Sequence, residues 1–391
     1  MNENSVWISA VEAVQTSDSS FFKFVTANDS GETGGHQRGF HIPKSAAPVL
    51  FNREFSKGEF YEEDIQIIWE DGFVTDSSIK YYGEKTRDEY RLTRFGREFD
   101  FRERIATGDV LVISRVEYGV FKAFVLKTEE EIENFVNTFG LSPIDSGSII
   151  EVSQSRIELN EEYEFEHFFQ TLGGVFPSTE MMSKTAREIE LKINDQEFEI
   201  LTNPDKKILD WTASEYRLFR FIERGLHLDQ VTYGFADIEE FITLANSIMN
   251  RRKSRAGKSL EHHLSFIFKE NRMQFSEQMV TEENNRPDFI FPSISAYKNV
   301  RYPREDIMVL AAKTTCKDRW RQILSETENL DKHYLFTLQQ GITINQLDQM
   351  YNAKVQLVVP KQHLSTFPEI YRDSILSLKD FIGLVENTYL T

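Results

Sequence analysis

The sequence contains one cysteine, no long apolar run and fewer basic than acidic residues. Cys316 stands alone, so the chain can form neither an internal disulfide nor a zinc cage of thiolates. Folding in a reducing compartment is therefore expected, with the cytoplasm as its location. No stretch approaches the about 18 consecutive apolar residues of a membrane helix, and the N-terminal residues lack a secretory pattern. We expect no membrane partner.

The shortage of positive charge excludes a surface that is basic throughout. Of 391 residues, 45 are Lys or Arg and 63 are Asp or Glu, so the net charge is −18. Basic residues are nevertheless concentrated locally, since five of the eight residues at 251–258 are Lys or Arg. Because a local basic patch is enough to contact phosphates, a nucleic-acid partner is compatible with this composition.

The length suits two domains, and the first half is rich in β patterns. Short apolar runs between about residues 21 and 152, broken by Gly, Asp and Asn, predict a compact β-barrel. A helix is expected to begin after Thr128, with Glu131 completing a capping box, and to end at Gly140.

A hinge over about 151–177 is predicted by clustered acids and a glycine pair, so the expected domains are 1–174 and 175–391. The second domain alternates helical and extended patterns, which predicts an α/β sheet covered on both faces. The whole chain is thus expected to be a multi-domain α+β protein. Its second half has predicted helices at 213–223, 237–250, 258–271 and 318–330, and predicted strands at 287–292, 307–313, LFTL and VQLVVP.

Residue types suited to phosphodiester hydrolysis occur at two predicted strand ends. Asp288, after Pro287, opens one strand, and Lys313 ends the next. A carboxylate can hold Mg²⁺ there, and a lysine can orient the attacking water and stabilise developing negative charge. Because such a pair also occurs by chance, it is a weak signal alone.

The usual nuclease pattern has a second acid two residues before the lysine, but this position holds Ala311. We predict that Glu326, on the following helix, replaces it and binds the metal together with Asp288. Glu261 borders an apolar helical stripe and is expected to complete the acidic cluster. The alternatives are an exposed helix glutamate at 326 and a Glu261 that pairs with Lys258 or with His263, two residues on.

The triplet Lys317-Asp318-Arg319 has the side chains that read G·C pairs in the major groove. Lys and Arg donate to guanine, and Asp accepts from cytosine. The alternative is a helix start that Asp318 merely caps. The basic segment would contact DNA phosphates without reading sequence, unless it forms only a solvated turn. Its candidate residues are Arg251, Arg252, Lys253, Arg255 and Lys258.

Two segments of the first half, 31–41 and 84–94, have the composition of DNA-binding arms. Both mix flexible Gly or Thr with donors that can reach phosphates or base edges, and Glu89 could accept from a cytosine amine. A surface loop is the alternative for each segment. The candidate residues are His36, Gln37, Arg38, Lys85, Arg87, Glu89 and Arg91.

Other catalytic patterns are incomplete. The sequence GKS at 257–259 lacks the first P-loop glycine, because Arg252 stands in its place. His262 and His263 are adjacent and face different sides of a helix, so they cannot chelate one metal together. Cys316 has no histidine spaced as a partner and is expected to be a buried thiol.

Five ordered segments resemble the EcoRII-type restriction endonucleases, and the resemblance covers nearly the whole chain. It implies an N-terminal B3-like β-barrel that binds an effector copy of the target site. A hinge would join this barrel to a restriction-endonuclease-like PD-(D/E)XK domain. The five segments are TANDSGETGGHQRGFHIP, GEKTRDEYRLTRFGR, NRRKSRAGKSLEHHL, RPDFIFPSISAY and AAKTTCKDRWRQILSE.

The resemblance also implies an activity, namely that of a Mg²⁺-dependent type IIE site-specific endodeoxyribonuclease that leaves 5′-phosphates. By their place in the family motifs, the active-site residues are Asp288, Lys313, Glu326 and Glu261, the base readers are Lys317, Asp318 and Arg319, and the effector contacts are His36, Lys85, Arg87, Glu89 and Arg91.

The family pattern further implies a homodimer, inhibition by the N-terminal domain until a second site binds, and a cognate methyltransferase. The implied target resembles CCWGG. The sequence departs from the family at Trp211-Thr212-Ala213, where relatives carry arginines, and at His41, where they carry another aromatic residue. Because of the departure at residues 211–213, the resemblance does not determine the identity of the central base pair of the target.

Two rival functions follow from the same residues. A DNA-binding protein whose nuclease fold has lost its chemistry is superficially favoured by Ala311, but Asp288, Lys313 and Glu326 together argue against it. An RNA nuclease is disfavoured by the major-groove triplet, since the major groove of A-form RNA is too deep and narrow for side chains.

Overall fold

The computed structural model describes residues 5–33, 39–150, 159–194, 198–281, 285–317, 319–325, 330 and 332–389. These residues form an N-terminal domain built on one sheet and a C-terminal domain built on a second, so the expected α+β class is confirmed. Across these ranges, every helix is too short or too polar to cross a bilayer.

The N-terminal sheet is curled and has seven strands in the order β1-β6-β7-β3-β4-β5-β2. Neighbouring strands are antiparallel except for β3 and β7, which are parallel. The strands are β1 (Ser20–Phe24), β2 (Phe40–Ile42), β3 (Phe60–Trp69), β4 (Val74–Tyr82), β5 (Glu89–Thr93), β6 (Val110–Glu117) and β7 (Val120–Leu126). The helices of this domain are α1 (Val6–Thr16), α2 (Ala27–Ser30), α3 (Ala47–Leu50), α4 (Phe101–Arg104) and α5 (Glu129–Phe139), with a 3-10 helix at Pro143–Asp145.

Both faces of this sheet are covered. Along β6, Leu111 and Ile113 join a cluster of aromatic and aliphatic side chains inside the curl, whereas Val110 and Val112 pack against α1 and α5 on the other face. This alternation is the period of two expected of a strand with two buried faces. One face of the sheet therefore lines the core inside the curl, and the other face is covered by α1 and α5.

The helix α5 begins and ends where the sequence predicts. The Thr128 side chain accepts from the Glu131 N–H, and the Glu131 carboxylate accepts from the Thr128 N–H. Gly140 ends the helix in the left-handed region, with φ +61°. The capping box and the terminal glycine therefore fix both ends.

The interpretation of 84–94 as an arm is wrong for its second half, which forms β5 between β2 and β4. The overlooked signal is the alternation of Tyr90 and Leu92, which are buried, with the half-buried Glu89 and Arg91. Such a short alternation is ambiguous in a sequence. In the structure, this segment is a strand because it pairs with β2 and β4 on either side and buries one of its faces.

The C-terminal sheet has six strands in the order β13-β12-β11-β10-β9-β8. From β10 to β13 the strands are parallel, while β9 runs antiparallel to both β10 and β8. The strands are β8 (Ser276–Glu277), β9 (Phe289–Phe291), β10 (Met308–Lys313), β11 (His333–Thr337), β12 (Val355–Val359) and β13 (Leu376–Ser377). The predicted strands of this domain are thus confirmed.

The helices of this domain differ from the predicted ones in length and number. They are α6 (Leu159–Thr171), α7 (Thr179–Asn194), α8 (Glu199–Thr202), α9 (Pro204–Tyr233), α10 (Ile238–Glu270), α11 (Ile294–Lys298), α12 (Ile344–Asn352), α13 (Glu369–Arg372) and α14 (Leu378–Tyr389). Further 3-10 helices lie at Arg304–Asp306, Arg319–Ser325 and Lys361–Thr366.

The predicted break between helices 237–250 and 258–271 is absent, because α10 continues through the basic segment. Arg and Ala favour helix, and a single internal glycine such as Gly257 lowers helix stability by only about 1 kcal/mol. The basic segment is therefore part of a helix, and the alternative of a solvated basic turn is also wrong.

Layers of helix cover both faces of the C-terminal sheet, as predicted. Leu310 and Ala312 point towards α9, α10 and α14, whereas Ala311 points to the opposite side, with Leu347 of α12. The sheet is thus the centre of a three-layer domain.

The helix predicted at 318–330 is a 3-10 helix at Arg319–Ser325 in the residues that the structure describes. Trp320 and Ile323 lie three residues apart and both pack on the sheet. A 3-10 helix has three residues per turn, so this spacing places both side chains on one face.

The hinge expected over 151–177 is wrong for the part that forms α6, and 151–158 lies outside the described residues. Phe165 of α6 is fully buried with Met182 of α7 and with Leu218 and Phe219 of α9. Because α6 shares this core, its packing favours a domain boundary before Leu159 rather than near Gly174.

Replacing Phe165 by alanine tests this boundary. Because the ring is buried against α9, Phe165→Ala should lower the free energy of unfolding of the C-terminal domain by about 3–5 kcal/mol. Tyr163→Ala on the same helix is the control, since that side chain is 69% exposed and should change stability little. Urea unfolding of both variants measures the difference, and equal small losses would restore the hinge interpretation.

Candidate active site

The carboxylate and the ammonium predicted at two strand ends do meet. Asp288 precedes β9, which pairs antiparallel with β10, and Lys313 ends β10. The Asp288 Oδ2 atom accepts a 2.8 Å hydrogen bond from the Ala312 N–H and lies 3.7 Å from the Lys313 Nζ atom. Asp288 is 6% exposed, so its position is fixed by the sheet while Lys313 remains partly open to solvent.

Glu261 reaches the same centre from α10. That helix buries Leu260 and Leu264 against the sheet, which leaves Glu261 at the edge of the buried stripe. The Glu261 Oε2 atom accepts from the Lys258 Nζ at 2.8 Å. The alternative pairing with Lys258 is thus present, and Glu261 nevertheless also faces the Asp288 centre.

Gln278, which the sequence did not indicate, joins the two acids. Its Nε2 atom donates to Glu261 Oε2 at 2.9 Å and to Asp288 Oδ1 at 2.8 Å. Gln278 follows β8, and its backbone N–H donates to the Asp288 carbonyl at 3.2 Å. Only the register of the β8–β9 pair brings it there, and no spacing in the sequence reports that register.

The electrostatics of this centre follow from burial. Burial raises the pKa of Glu261, and the neighbouring charge of Asp288 raises it further, whereas Lys258 opposes the shift. Across the described ranges no three His, Cys, Asp or Glu side chains are grouped to hold a metal ion. Asp288 and Glu261 still fit Mg²⁺, which commonly takes one or two carboxylates and completes its shell with water and phosphate oxygens.

The second predicted metal ligand, Glu326, lies outside the described residues. The residues just before it do belong to this region, since Trp320 and Ile323 pack with Ala311. Ala311 is 1% exposed and shares one side of β10 with Lys313. An alanine at this position leaves room for the packing of the 3-10 helix.

The predicted base readers contact the N-terminal domain. Lys317 is buried and its ammonium is paired with the Asp109 carboxylate. Arg319 is paired with Glu133 and lies 3.3 Å from Glu129 Oε1, and its backbone N–H donates to Glu129 Oε2 at 2.9 Å. Asp318 lies outside the described residues. Both described cations of the triplet therefore already have carboxylate partners.

Two glycines complete this contact between the domains. A Cβ atom on Gly108 would lie 2.8 Å from the Gly341 carbonyl oxygen, and one on Gly341 would lie 2.9 Å from the Thr107 methyl group. Nearby, Gln340 Nε2 donates to the Pro143 carbonyl at 3.1 Å. The backbones of the two domains are thus in close contact beside the Asp109–Lys317 pair, and neither glycine has room for a side chain.

The predicted phosphate contacts of the basic segment are only partly accessible. Arg255 is 3% exposed and stacks 3.6 Å above the Tyr216 ring, so the structure contradicts a surface role for it. Arg252 binds Glu223 and donates to the backbone carbonyls of Asn137 and Thr138 at 2.9 and 2.5 Å.

The other three residues of this segment are more open. Arg251 is half-buried over Phe176, Lys253 is exposed, and Lys258 pairs with Glu261. The sequence alone could not show that Arg255 is buried while Lys253 is exposed, because both belong to one run of basic residues on a single helix.

The candidate effector residues divide between a loop and a strand. Lys85 and Arg87 are exposed, and the Arg87 guanidinium lies 5.7 Å from the Tyr82 ring centroid. On β5, Arg91 lies opposite His41 of β2. Burial, and then the charge of Lys23, lowers the pKa of His41. His36, Gln37 and Arg38 lie outside the described residues.

Three residues excluded from catalysis or metal binding are placed as expected. Cys316 is buried, as expected, and burial raises the pKa of its thiol to about 12, which disfavours the reactive thiolate form. His262 contacts Thr179, whereas His263 lies 3.0 Å from Glu215, which confirms that the two rings face different directions.

Comparison with known proteins gives consistent matches over both domains. The family model "Restriction endonuclease EcoRII, N-terminal" matches residues 14–154, and the model "EcoRII C terminal" matches residues 219–382. The Type II restriction enzyme EcoRII of Escherichia coli is 33% identical over 392 residues, covering 94% of each chain.

Solved structures also align with part of the chain. Metal-depleted Ecl18kI in complex with uncleaved, modified DNA aligns over 59% of this chain and 85% of its own, with 18% identity and a TM-score of 0.47. The restriction endonuclease PspGI–substrate DNA complex aligns over 55% and 93%, with 16% identity and a TM-score of 0.46.

The two family models together account for most of the chain, and the identity with the E. coli enzyme extends over nearly all of both sequences. The chain therefore belongs to the EcoRII family of type II restriction endonucleases, which are site-specific deoxyribonucleases.

Proposed function

We propose that the chain hydrolyses double-stranded DNA with Mg²⁺ at a CC(N/W)GG-like site and leaves 5′-phosphates. The observation that carries this proposal is the meeting of Asp288 and Lys313, with Glu261 in the same cluster. Asp288 and Glu326 would hold the metal, and Glu261 would support them. Bound Mg²⁺ would supply Lewis-acid stabilisation of the phosphate.

The chain's own residues would position the reactants. The Ala312 N–H fixes one oxygen of Asp288, so the carboxylate presents its other oxygen to the centre. Lys313 is partly exposed beside it, where its ammonium can orient a water molecule and stabilise charge that develops on the phosphate. These roles need a positive charge at residue 313.

Removing that charge tests the catalytic proposal. Lys313→Ala should lower the cleavage rate about a hundredfold or more, while binding of target DNA with Ca²⁺ persists. Lys298→Ala, at the exposed lysine that ends α11 between β9 and β10, is the control and should cut normally. Cleavage of a multi-site plasmid measures both rates. Undiminished cutting by Lys313→Ala would remove this site, and a wild-type chain that binds but never cuts would favour the catalytically inactive DNA-binding protein.

Inhibition by the N-terminal domain is the second part of the proposal. Three carboxylates of that domain, from Asp109, Glu129 and Glu133, contact the two described cations of the base-reading triplet. A cation that donates to a buried carboxylate has fewer donors to offer a guanine. Release of these contacts would therefore be required before Lys317 and Arg319 can read DNA.

Neighbouring glutamates of α5 offer a matched test of inhibition. Glu129 is 3% exposed and accepts from Thr315 and Arg319, whereas Glu130 is exposed on the same first turn. Glu129→Gln should weaken the closed arrangement and raise cleavage of single-site DNA about tenfold. Glu130→Gln removes the same charge and should leave that rate unchanged. Equal rates for the two variants would contradict the inhibition proposal.

The N-terminal domain would bind the second, activating copy of the target. Its candidate contacts are Lys85 and Arg87 in the loop between β4 and β5, together with Glu89 and Arg91 on β5. His36, Gln37 and Arg38 would act with them. Phosphate contacts would also come from the open part of the basic segment, namely Arg251, Lys253 and Lys258.

In the assembled enzyme we propose a homodimer in which each subunit cuts one strand. A cognate methyltransferase would work beside it.

The effector arm can be tested by activation. Arg87→Ala should require about tenfold more of a CCWGG duplex, added in trans, to reach half-maximal stimulation of cleavage. The difference should depend on salt concentration, because arginine contacts to phosphate release counterions. Lys122→Ala, an exposed lysine of β7, is the control. An unchanged requirement in Arg87→Ala would place the effector site elsewhere.

A further inference from the structure

The amide of Gln278 occupies the space between two carboxylates of the nuclease centre. We propose that Gln278 is a positioning residue that holds Glu261 and Asp288 together in the cation-free enzyme and must release them when a divalent cation binds. It would thereby set the cation concentration at which the enzyme is loaded. This inference rests on the metal-dependent function proposed above.

The hydrogen bonds leave the amide nitrogen no further donor. An amide NH₂ group has two hydrogens, and here one reaches Glu261 Oε2 at 2.9 Å and the other reaches Asp288 Oδ1 at 2.8 Å. The two acids belong to different elements, α10 and the start of β9, so this amide is a direct link between them. Its orientation follows from charge, because the amide oxygen would be repelled by both carboxylates.

The backbone holds the side chain in this place. Gln278 has φ +53°, in the left-handed region that non-glycine residues rarely adopt. The β8–β9 ladder ends at Glu277 and Phe289, and the next N–H, that of Gln278, donates to the Asp288 carbonyl. Backbone strain of this kind commonly occurs at functional sites, where it fixes a side chain.

The cation that Asp288 would hold, with Glu261 as its supporting acid, needs the space that the amide nitrogen occupies. That nitrogen lies within 2.9 Å of one oxygen from each carboxylate. Asp288 Oδ2 is already held by the Ala312 N–H, so Oδ1 is the oxygen left for a cation, and it is the one that Gln278 binds. Mg²⁺–oxygen distances are about 2.1 Å, so a cation shared by Asp288 Oδ1 and Glu261 Oε2 would need the space beside them that the amide fills. The amide and a cation shared by these two oxygens would therefore compete, and the hydrogen bonds of Gln278 would have to break before both oxygens could bind one ion.

This competition predicts the direction of the effect of substitution. Gln278→Met keeps the length of the side chain but removes both donors, which leaves the two carboxylates with fewer partners. Cation affinity should rise about threefold to tenfold, because the lost hydrogen bonds no longer oppose binding. Gln278→Glu also keeps the length and adds a third carboxylate, so its affinity should rise by more than about tenfold.

The experiment uses the full-length chain and Mn²⁺, whose binding is followed by the electron paramagnetic resonance signal of the free ion. The dissociation constant is measured for wild type, Gln278→Met and Gln278→Glu. Gln274→Met is the matched control, since Gln274 is exposed in the same segment. Asp288→Asn identifies the site, because it should abolish the binding that the Gln278 variants strengthen.

Thermal unfolding gives a second readout that also reports folding. Without cation, both Gln278 variants should unfold at a lower temperature than wild type, because an interaction between the two acids has been lost. Saturating Mn²⁺ should raise their unfolding temperature by more than it raises that of wild type, since tighter binding to the native state stabilises it more.

The outcomes separate this inference from the function on which it rests. Mn²⁺ affinities that rise from wild type to Gln278→Met, and again to Gln278→Glu, support the competition between the amide and the cation. Variants that bind Mn²⁺ with wild-type affinity, or more weakly, while Asp288→Asn still loses binding, overturn the inference and leave the metal-dependent function standing. A wild-type chain whose Mn²⁺ binding does not depend on Asp288 overturns both.

Discussion

The antiparallel pairing of β9 with β10 determines the geometry of the candidate active site. Register brings Leu310 opposite Phe289, so Asp288 meets the end of β10, where the Ala312 N–H holds one of its oxygens. A charged carboxylate that is 6% exposed needs such partners, because burial without them is strongly unfavourable. The same pairing places Lys313 at the rim, and β8 on the far side of β9 supplies Gln278.

The contact between the domains uses the chemistry that DNA recognition would use. Buried carboxylates of the N-terminal domain accept from Lys317 and Arg319, as the acceptor atoms of guanine would in the major groove. Thr315 also donates to Glu129, so three residues of one short segment face the same domain. The donors that these carboxylates engage are not available to guanine, so the base reading that we propose would require Lys317 and Arg319 to leave these contacts.

Much of the fold and part of the site follow from sequence patterns. Thr128 and Gly140 fix α5 because capping depends on neighbouring residues, and the Asp288–Lys313 pair follows from two apolar strands. What escapes prediction depends on distant packing. Gln278 enters through strand register, and α6 joins the C-terminal domain through Phe165.

The basic segment shows a related limit. Five cations within eight residues indicate a patch, but their local order does not reveal that Arg255 is buried over Tyr216 while Lys253 is exposed. Those differences follow from the rotation of α10 against α9. The same holds for 84–94, whose second half is a strand only because β2 and β4 lie on either side of it.

The unbroken length of α10 has a mechanical consequence. Arg252 donates from this helix to the carbonyls that end α5, and Glu261 lies nine residues further along the same helix, about 14 Å away at 1.5 Å per residue. A continuous helix behaves as a stiff rod over that distance. Arg252, which contacts the N-terminal domain, and Glu261, which lies at the candidate active site, are thus two points on one rigid helix, and neither can be displaced along the helix axis without the other.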